Sequence, residues 1–140
     1  MLKEGQVLWM RFRFNNVPGE ISETVHPYIV VDIDKQLKKV ELIQGDSLKD
    51  KYYLLAKEEN VLLRADNETV FYEYGYAQLD NCFMVEYSEG LEKYKQTDAT
   101  MSKMAFEELK RRYQVYQMSH NIFDNKTVFM RFDELEEINN

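Results

Sequence analysis

The chain has 140 residues, 44% hydrophobic and 31% charged, the size and apolar content of one domain around one core. A formal charge of −7 counts against a strong phosphate-attracting surface, and 14% aromatic residues with only 5 Gly and 2 Pro exclude a disordered chain. The single cysteine, Cys82, excludes an intrachain disulfide and points to a reducing compartment.

The charge is unevenly spread. Residues 1–51 balance eight basic against eight acidic side chains, whereas residues 52–100 carry four basic and ten acidic. An RNA-binding surface drawn from the N-terminal segment would therefore not be acidic. No stretch approaches the roughly 20 apolar residues that span a bilayer. The apolar run within MLKEGQVLWM is too short for a signal peptide. The expectation is a cytoplasmic protein of one domain, residues 1–140, with no membrane partner.

Residues 6–14, QVLWMRFRF, end in a period-two pattern that sets Arg11 and Arg13 opposite Met10, Phe12 and Phe14, which predicts a strand. The segment 15–25, NNVPGEISETV, carries turn chemistry at Asn15-Asn16 and Pro18-Gly19 and reads as a loop of about ten residues. His26 precedes Pro27 and is pushed to extended geometry, opening the β-branched strand YIVVDI at 28–33. Residues 38–43 form a third strand, ended by Gln44-Gly45-Asp46-Ser47. Residues 52–56 and 60–64 read as short strands. Residues 69–79 read as one bent strand with a bulge at Gly75, and 82–87 as another strand. The period then changes. Ala105, Leu109, Tyr113 and Tyr116 share one face of a helix over about 101–118, with Thr97, Thr100 and Ser102 as possible N-caps and Asn121 and Asp124-Asn125 ending it. Residues 127–132 form a last strand, and the acidic tail, about 133–140, is expected to fray. Short strands joined by turns and followed by a helix predict a mainly β fold with a C-terminal helix, closed as a small barrel. A parallel sheet is not expected, because no helix lies between the strands.

The order of these pieces resembles the MazF/PemK-like toxins. Gly5-Gln6-Val7-Leu8-Trp9 is similar to that family's opening, and His26-Pro27-Tyr28-Ile29-Val30-Val31 to its Arg-Pro strand. Residues 40–47, VELIQGDS, resemble the strand that ends in Thr or Ser, with Ser47 in that place; Gly75–Val85 and the helix at 101–118 follow in the same order. The resemblance covers roughly residues 5–118. It implies an SH3-like barrel, cleavage of single-stranded RNA without a metal, a cognate antitoxin protein that holds the toxin inactive, and a homodimer. It also implies that the Arg-Pro pair and the following hydroxyl are catalytic. Here His26 replaces the Arg, which either abolishes activity or converts the mechanism, since an imidazole passes protons at physiological pH.

Metal-independent RNA cleavage needs a base for the ribose 2′-OH, an acid for the leaving 5′ oxygen and a donor or cation for the phosphate. His26 suits the base or the acid. Arg11 or Arg13 suits the phosphate, because a guanidinium stays charged and forks onto its oxygens. Ser47 would donate to it, and Arg13, Asn15 and Asn16 would bind RNA along the loop. Each has a plainer reading. His26 can be an ordinary loop-end residue, the arginines a solvated strand face, and Ser47 a turn residue. His120 reads as a partner of the helix C-terminus or a surface residue. Asp32 and Asp34 read as solvated charges, and Cys82 as packed. The tyrosines at 52, 53, 72, 74, 76 and 87 would stack bases or, more often, pack across strands. There is no zinc spacing and no phosphate-binding glycine loop, so no cofactor and no metal are expected. Two functions stand open: a divergent toxin endoribonuclease, and a non-catalytic barrel for protein–protein interaction such as a phage or mobile-element accessory protein.

Overall fold

A computed structural model describes residues 1–14, 20–65, 70–71 and 73–140. Six strands form one mixed sheet: β1 (Val7–Met10), β2 (His26–Asp34), β3 (Lys39–Ser47), β4 (Asn60–Leu63), β5 (Gly75–Glu86) and β6 (Thr127–Met130). The helices are α1 (Lys103–Ser119), α2 (Ile122–Lys126) and α3 (Phe132–Asn139), with 3-10 turns at Tyr52–Ala56 and Glu89–Tyr94. The strand order is β1-β2-β3-β5-β4, with β6 also on β5.

Alternation along the strands sends side chains to two cores. Leu8, Met10, Tyr28, Val30 and Leu42 pack on one face with Val128 and Leu135. Val7, Ile29, Val31 and Ile43 pack on the other, under Leu109 and Tyr113 of α1. β2, flanked by β1 and β3, is buried on both faces, which is why residues 28–31 read YIVV without a polar interruption.

β5 is long because it serves two neighbours. Its residues 75–78 pair with β4, and its residues 82–85 pair with β6. Between these halves the register against β3 jumps from Leu42↔Phe83 to Gln44↔Gln78, so Ile43 alone faces four β5 residues. Such a bulge orphans backbone groups. The half-buried loss is made good by Gln117 of α1, whose Nε2 donates to the carbonyls of Leu79 (2.7 Å) and Asn81 (3.1 Å).

Several expectations are corrected. The bulge lies in 79–82, and Gly75 is instead the first residue of β5. Val70, Phe71, Glu73 and Tyr74 are not in a strand, and Tyr72 lies outside the described residues. Residues 52–56 form a 3-10 turn, because the left-handed Lys49 (φ 43°) and Asp50 (φ 67°) close a turn in which Lys51 N donates to Leu48 O. β6 runs parallel to β5, with α1 and α2 supplying the crossover that a parallel pair requires. The acidic tail does not fray. It forms α3, buries Leu135 completely, and clamps the backbone of Arg11 through both amide atoms of Asn139. Among the described residues no pairing joins β1 to β4 or β6, so the sheet is not closed into a barrel. No described helix is long and apolar enough to cross a membrane.

Candidate functional site

β2 and β3 are antiparallel, with Tyr28 opposite Gln44, so the first residues of β2 lie beside the last residues of β3. Trp9 of β1 sits opposite Pro27, and Gly75 of β5 opposite Ser47. These strand ends bound a cleft of about 320 Å³. Pro27 and Leu63 form part of its apolar lining, with Trp9 and Phe71, whose rings meet edge to face at 6.5 Å. Its polar lining comes from His26, Asp46, Ser47, Lys49 and Glu73.

His26 is held from both ring nitrogens. Nδ1 lies 3.7 Å from Asp46 Oδ1, an ion-pair distance rather than a hydrogen bond, and Nε2 lies 3.2 Å from Thr24 Oγ1. The Asp46 carboxylate is itself oriented, because Oδ1 accepts the Ser47 backbone N–H at 2.8 Å. The ring is 20% exposed, so it meets solvent while staying fixed. Ser47 Oγ is buried and has no hydrogen-bond partner among the described residues. Gly75 is required here: a side chain on it would collide with the Asp46 carbonyl oxygen. Beneath the site, burial and then the Asp46 charge push the Tyr28 phenol well above its ordinary range.

The structure thus brings His26 and Ser47 together, and it does not bring the arginines to them. Neither Arg11 nor Arg13 lines the cleft. Arg13 Nη2 donates to the Phe129 carbonyl at 2.6 Å, and its Nη1 lies 3.7 Å from Glu134 Oε2. Arg11 is tied by its backbone to Asn139. The physical reason is that β1 ends at Met10, and the chain beyond it is taken up by β6 and α3. Asn15 and Asn16 lie outside the described residues. Of the residues expected in that loop, Ile21 bridges Arg13 and Glu20 O accepts from Phe14 N.

Sequence reasoning missed Asp46, Thr24, Lys49, Trp9, Phe71 and Glu73. The signal for Asp46 was present: antiparallel pairing of 28–33 with 38–43 carries it toward His26. Nothing local marks Phe71 or Glu73. His120 stacks on Tyr116 at 3.9 Å and caps α1, away from the cleft lining. Cys82 is fully buried, and burial followed by the Glu41 charge raises its thiol above the ordinary value, opposite to what a nucleophile needs. The tyrosines divide. Tyr76 is buried and Tyr87 packs against a core, but Tyr52, Tyr53 and Tyr74 are exposed. No group of metal-ligating residues occurs among the described residues. No protein-family model matches the chain, and no curated protein is significantly similar to it.

Proposed function

We propose that the chain is a divergent relative of the MazF/PemK-like toxins, on an opened version of the SH3-like barrel, and that it cuts single-stranded RNA at the cleft between β1, β2 and β3. The observation that supports this reading is the fixed imidazole of His26, set between Asp46 and Thr24, on a cleft that also holds the unsatisfied Ser47 hydroxyl. Neutral imidazole takes the 2′-OH proton, the 2′ oxygen attacks the adjacent phosphorus, and the bond from phosphorus to the 5′ oxygen breaks as that oxygen takes a proton from solvent water at the open cleft, giving a 2′,3′-cyclic phosphate and a 5′-OH. Asp46 stabilises the imidazolium that forms. Ser47 donates to the phosphate, the Lys49 ammonium takes the role the sequence assigned to Arg11 or Arg13, and Trp9 with Phe71 offers a base an apolar wall. A cytoplasmic setting, a cognate antitoxin and a second copy of the chain belong to the same proposal.

The test sets purified wild-type protein beside His26→Ala on a mixed single-stranded RNA. The expected result is cleavage reduced about 10²–10⁴-fold in the variant, with cyclic-phosphate ends from the wild type. The wild type failing to cut anywhere between roughly pH 6 and 8 would overturn it.

One observation favours a second reading. The Arg13 guanidinium is spent on Phe129 and Glu134, Arg11 does not line the cleft, and Asp46 and Glu73 make the cleft partly acidic. A non-catalytic protein-binding groove fits that charge. It predicts a protein ligand that Trp9→Ala releases, with no RNA cleavage.

A further inference from the structure

The cleft carries one acid that the proposed chemistry leaves unused. Asp46 is committed twice, to the Ser47 N–H at 2.8 Å and to the His26 ring at 3.7 Å. Glu73 lines the same cleft, is exposed, and among the described residues has neither a hydrogen bond nor an ion pair. A bare carboxylate repels a phosphate, so in an RNA cleft it either serves another part of the nucleotide or weakens binding.

The fold fixes where this carboxylate stands. On its C-terminal side, the buried Leu48 at the end of β3 donates its N–H to the Tyr74 carbonyl at 3.2 Å, and Gly75 pairs with Ser47. On its N-terminal side, Phe71 lines the cleft, is 7% exposed and meets the half-buried Trp9 edge to face. The segment 71–73 thus supplies both the ring that steadies the indole and the acid beside it. At about 320 Å³ the cleft lies at the small end of ligand pockets and takes one nucleotide rather than several. A base against Trp9, a ribose 2′-OH at His26 and a phosphate at Ser47 and Lys49 therefore belong to the same nucleotide.

What a carboxylate can read on a base follows from its chemistry, since it only accepts hydrogen bonds. In single-stranded RNA the Watson–Crick edge of a splayed base is open to protein groups. Guanine presents two adjacent donors there, N1–H and the N2 amino group, and a carboxylate takes both with its two oxygens. Adenine and cytosine each set one amino donor beside an acceptor nitrogen, and uracil sets one N–H between two carbonyl oxygens. Those acceptors turn electron pairs toward the carboxylate. Resting on the RNA reading of the cleft, we propose that Glu73 is a specificity-determining residue that selects guanine for the base on Trp9, so that the chain cuts single-stranded RNA on the 3′ side of guanosine.

The probes are the four nucleoside 3′-monophosphates, which carry base, ribose and phosphate in one unit and have no phosphodiester to cut. Trp9 is the chain's single tryptophan, so its fluorescence reports occupancy of the cleft. Titrations compare wild type with Glu73→Gln, whose amide keeps the size and loses one acceptor oxygen; the side chain is exposed, and circular dichroism is expected to show unchanged folding. The expected result is that guanosine 3′-monophosphate binds wild type roughly tenfold or more tighter than the other three, and that Glu73→Gln loses the preference. Inosine 3′-monophosphate, which lacks the N2 amino group, should fall between. On mixed single-stranded RNA the wild type should leave guanosine 2′,3′-cyclic phosphate ends, and Glu73→Gln should cut without that bias. A wild type that cleaves RNA without base preference, or a guanine preference that survives in Glu73→Gln, overturns the assignment and leaves the cleft reading standing. A wild type that cleaves no RNA, and whose Trp9 fluorescence answers to none of the nucleotides, overturns both. Tighter binding of N-acetylarginine amide than of guanosine 3′-monophosphate also overturns the assignment and supports the protein-binding groove, because a guanidinium forks onto a carboxylate in the same way.

Discussion

Replacing Gln117 by Leu tests whether the fold depends on the α1–β5 staple. Gln117 is 8% exposed, and its Nε2 donates to Leu79 O at 2.7 Å and Asn81 O at 3.1 Å, the two carbonyls freed by the four-against-one register jump. Leucine fills nearly the same volume but donates nothing. A buried carbonyl left without a partner costs about 1–3 kcal/mol, so the two together come to roughly 2–6 kcal/mol. Some of that is returned, because Gln117 Oε1 is itself buried without a partner and disappears in the variant. The net expectation is about 2 kcal/mol of destabilisation. For a chain of 140 residues the unfolding entropy is about 0.3 kcal/mol/K, so the Tm should fall by about 7 °C. Thermal unfolding followed by far-UV circular dichroism gives this directly. Amide exchange should accelerate first at residues 75–86, since α1 no longer ties down the bend. An unchanged or raised Tm would refute the reasoning: the carbonyls would then be served by water, and the bend would not need α1.

Three further outcomes follow from other contacts. Gly75→Ala places a methyl group against the Asp46 carbonyl, so β3 must shift by its last residues; urea unfolding should show a loss of about 1–3 kcal/mol, and any activity at Ser47 should fall with it. Asn139→Ala removes the two bonds to the Arg11 backbone and one to Leu135 O; α3 should loosen, costing about 1–2 kcal/mol and raising protease sensitivity near the C-terminus. Glu41 has its carboxyl raised above the ordinary value, chiefly by burial, with Asp32 adding to the rise and Tyr113 and Lys110 opposing it. The folded state therefore holds this proton more tightly than the unfolded state, and the Glu41 contribution to stability falls as pH rises from about 4 through the raised value. Glu41→Gln should remove that fall, so the difference in Tm between wild type and variant should grow in the variant's favour between about pH 4 and pH 7. A pH-independent difference would sink this account.

The candidate site was half legible. His26 stands at a strand start that the following Pro27 marks in the sequence, whereas residues 44–47, read as the break after the third strand, continue β3 to Ser47, and antiparallel pairing of β2 with β3 brings the two ends together. The fate of the arginines was not legible. Arg11 and Arg13 occupy the pattern of a solvated strand face, yet Asn139 reaches Arg11 across 128 positions and Phe129 reaches Arg13 across 116. Tyr52 and Tyr53 were misjudged for a similar reason: β-favouring composition suggested a strand, while the left-handed turn at Lys49-Asp50 decided a 3-10 turn.

Local chemistry by itself determined the elements whose signal is internal to one segment. The β-branched run at 28–33 announced a strand, Ala105, Leu109 and Tyr113 announced the inner face of α1, and Ser102 capped that helix as its hydroxyl suggests, accepting from Ala105 N. Tertiary structure alone decided that the sheet stays open, that β6 joins β5 in parallel, and that the acidic tail becomes a docked helix. Each of these depends on which distant segments compete for the same backbone groups and the same apolar face. A single segment's periodicity records which side of it is buried, and it carries no record of what buries it.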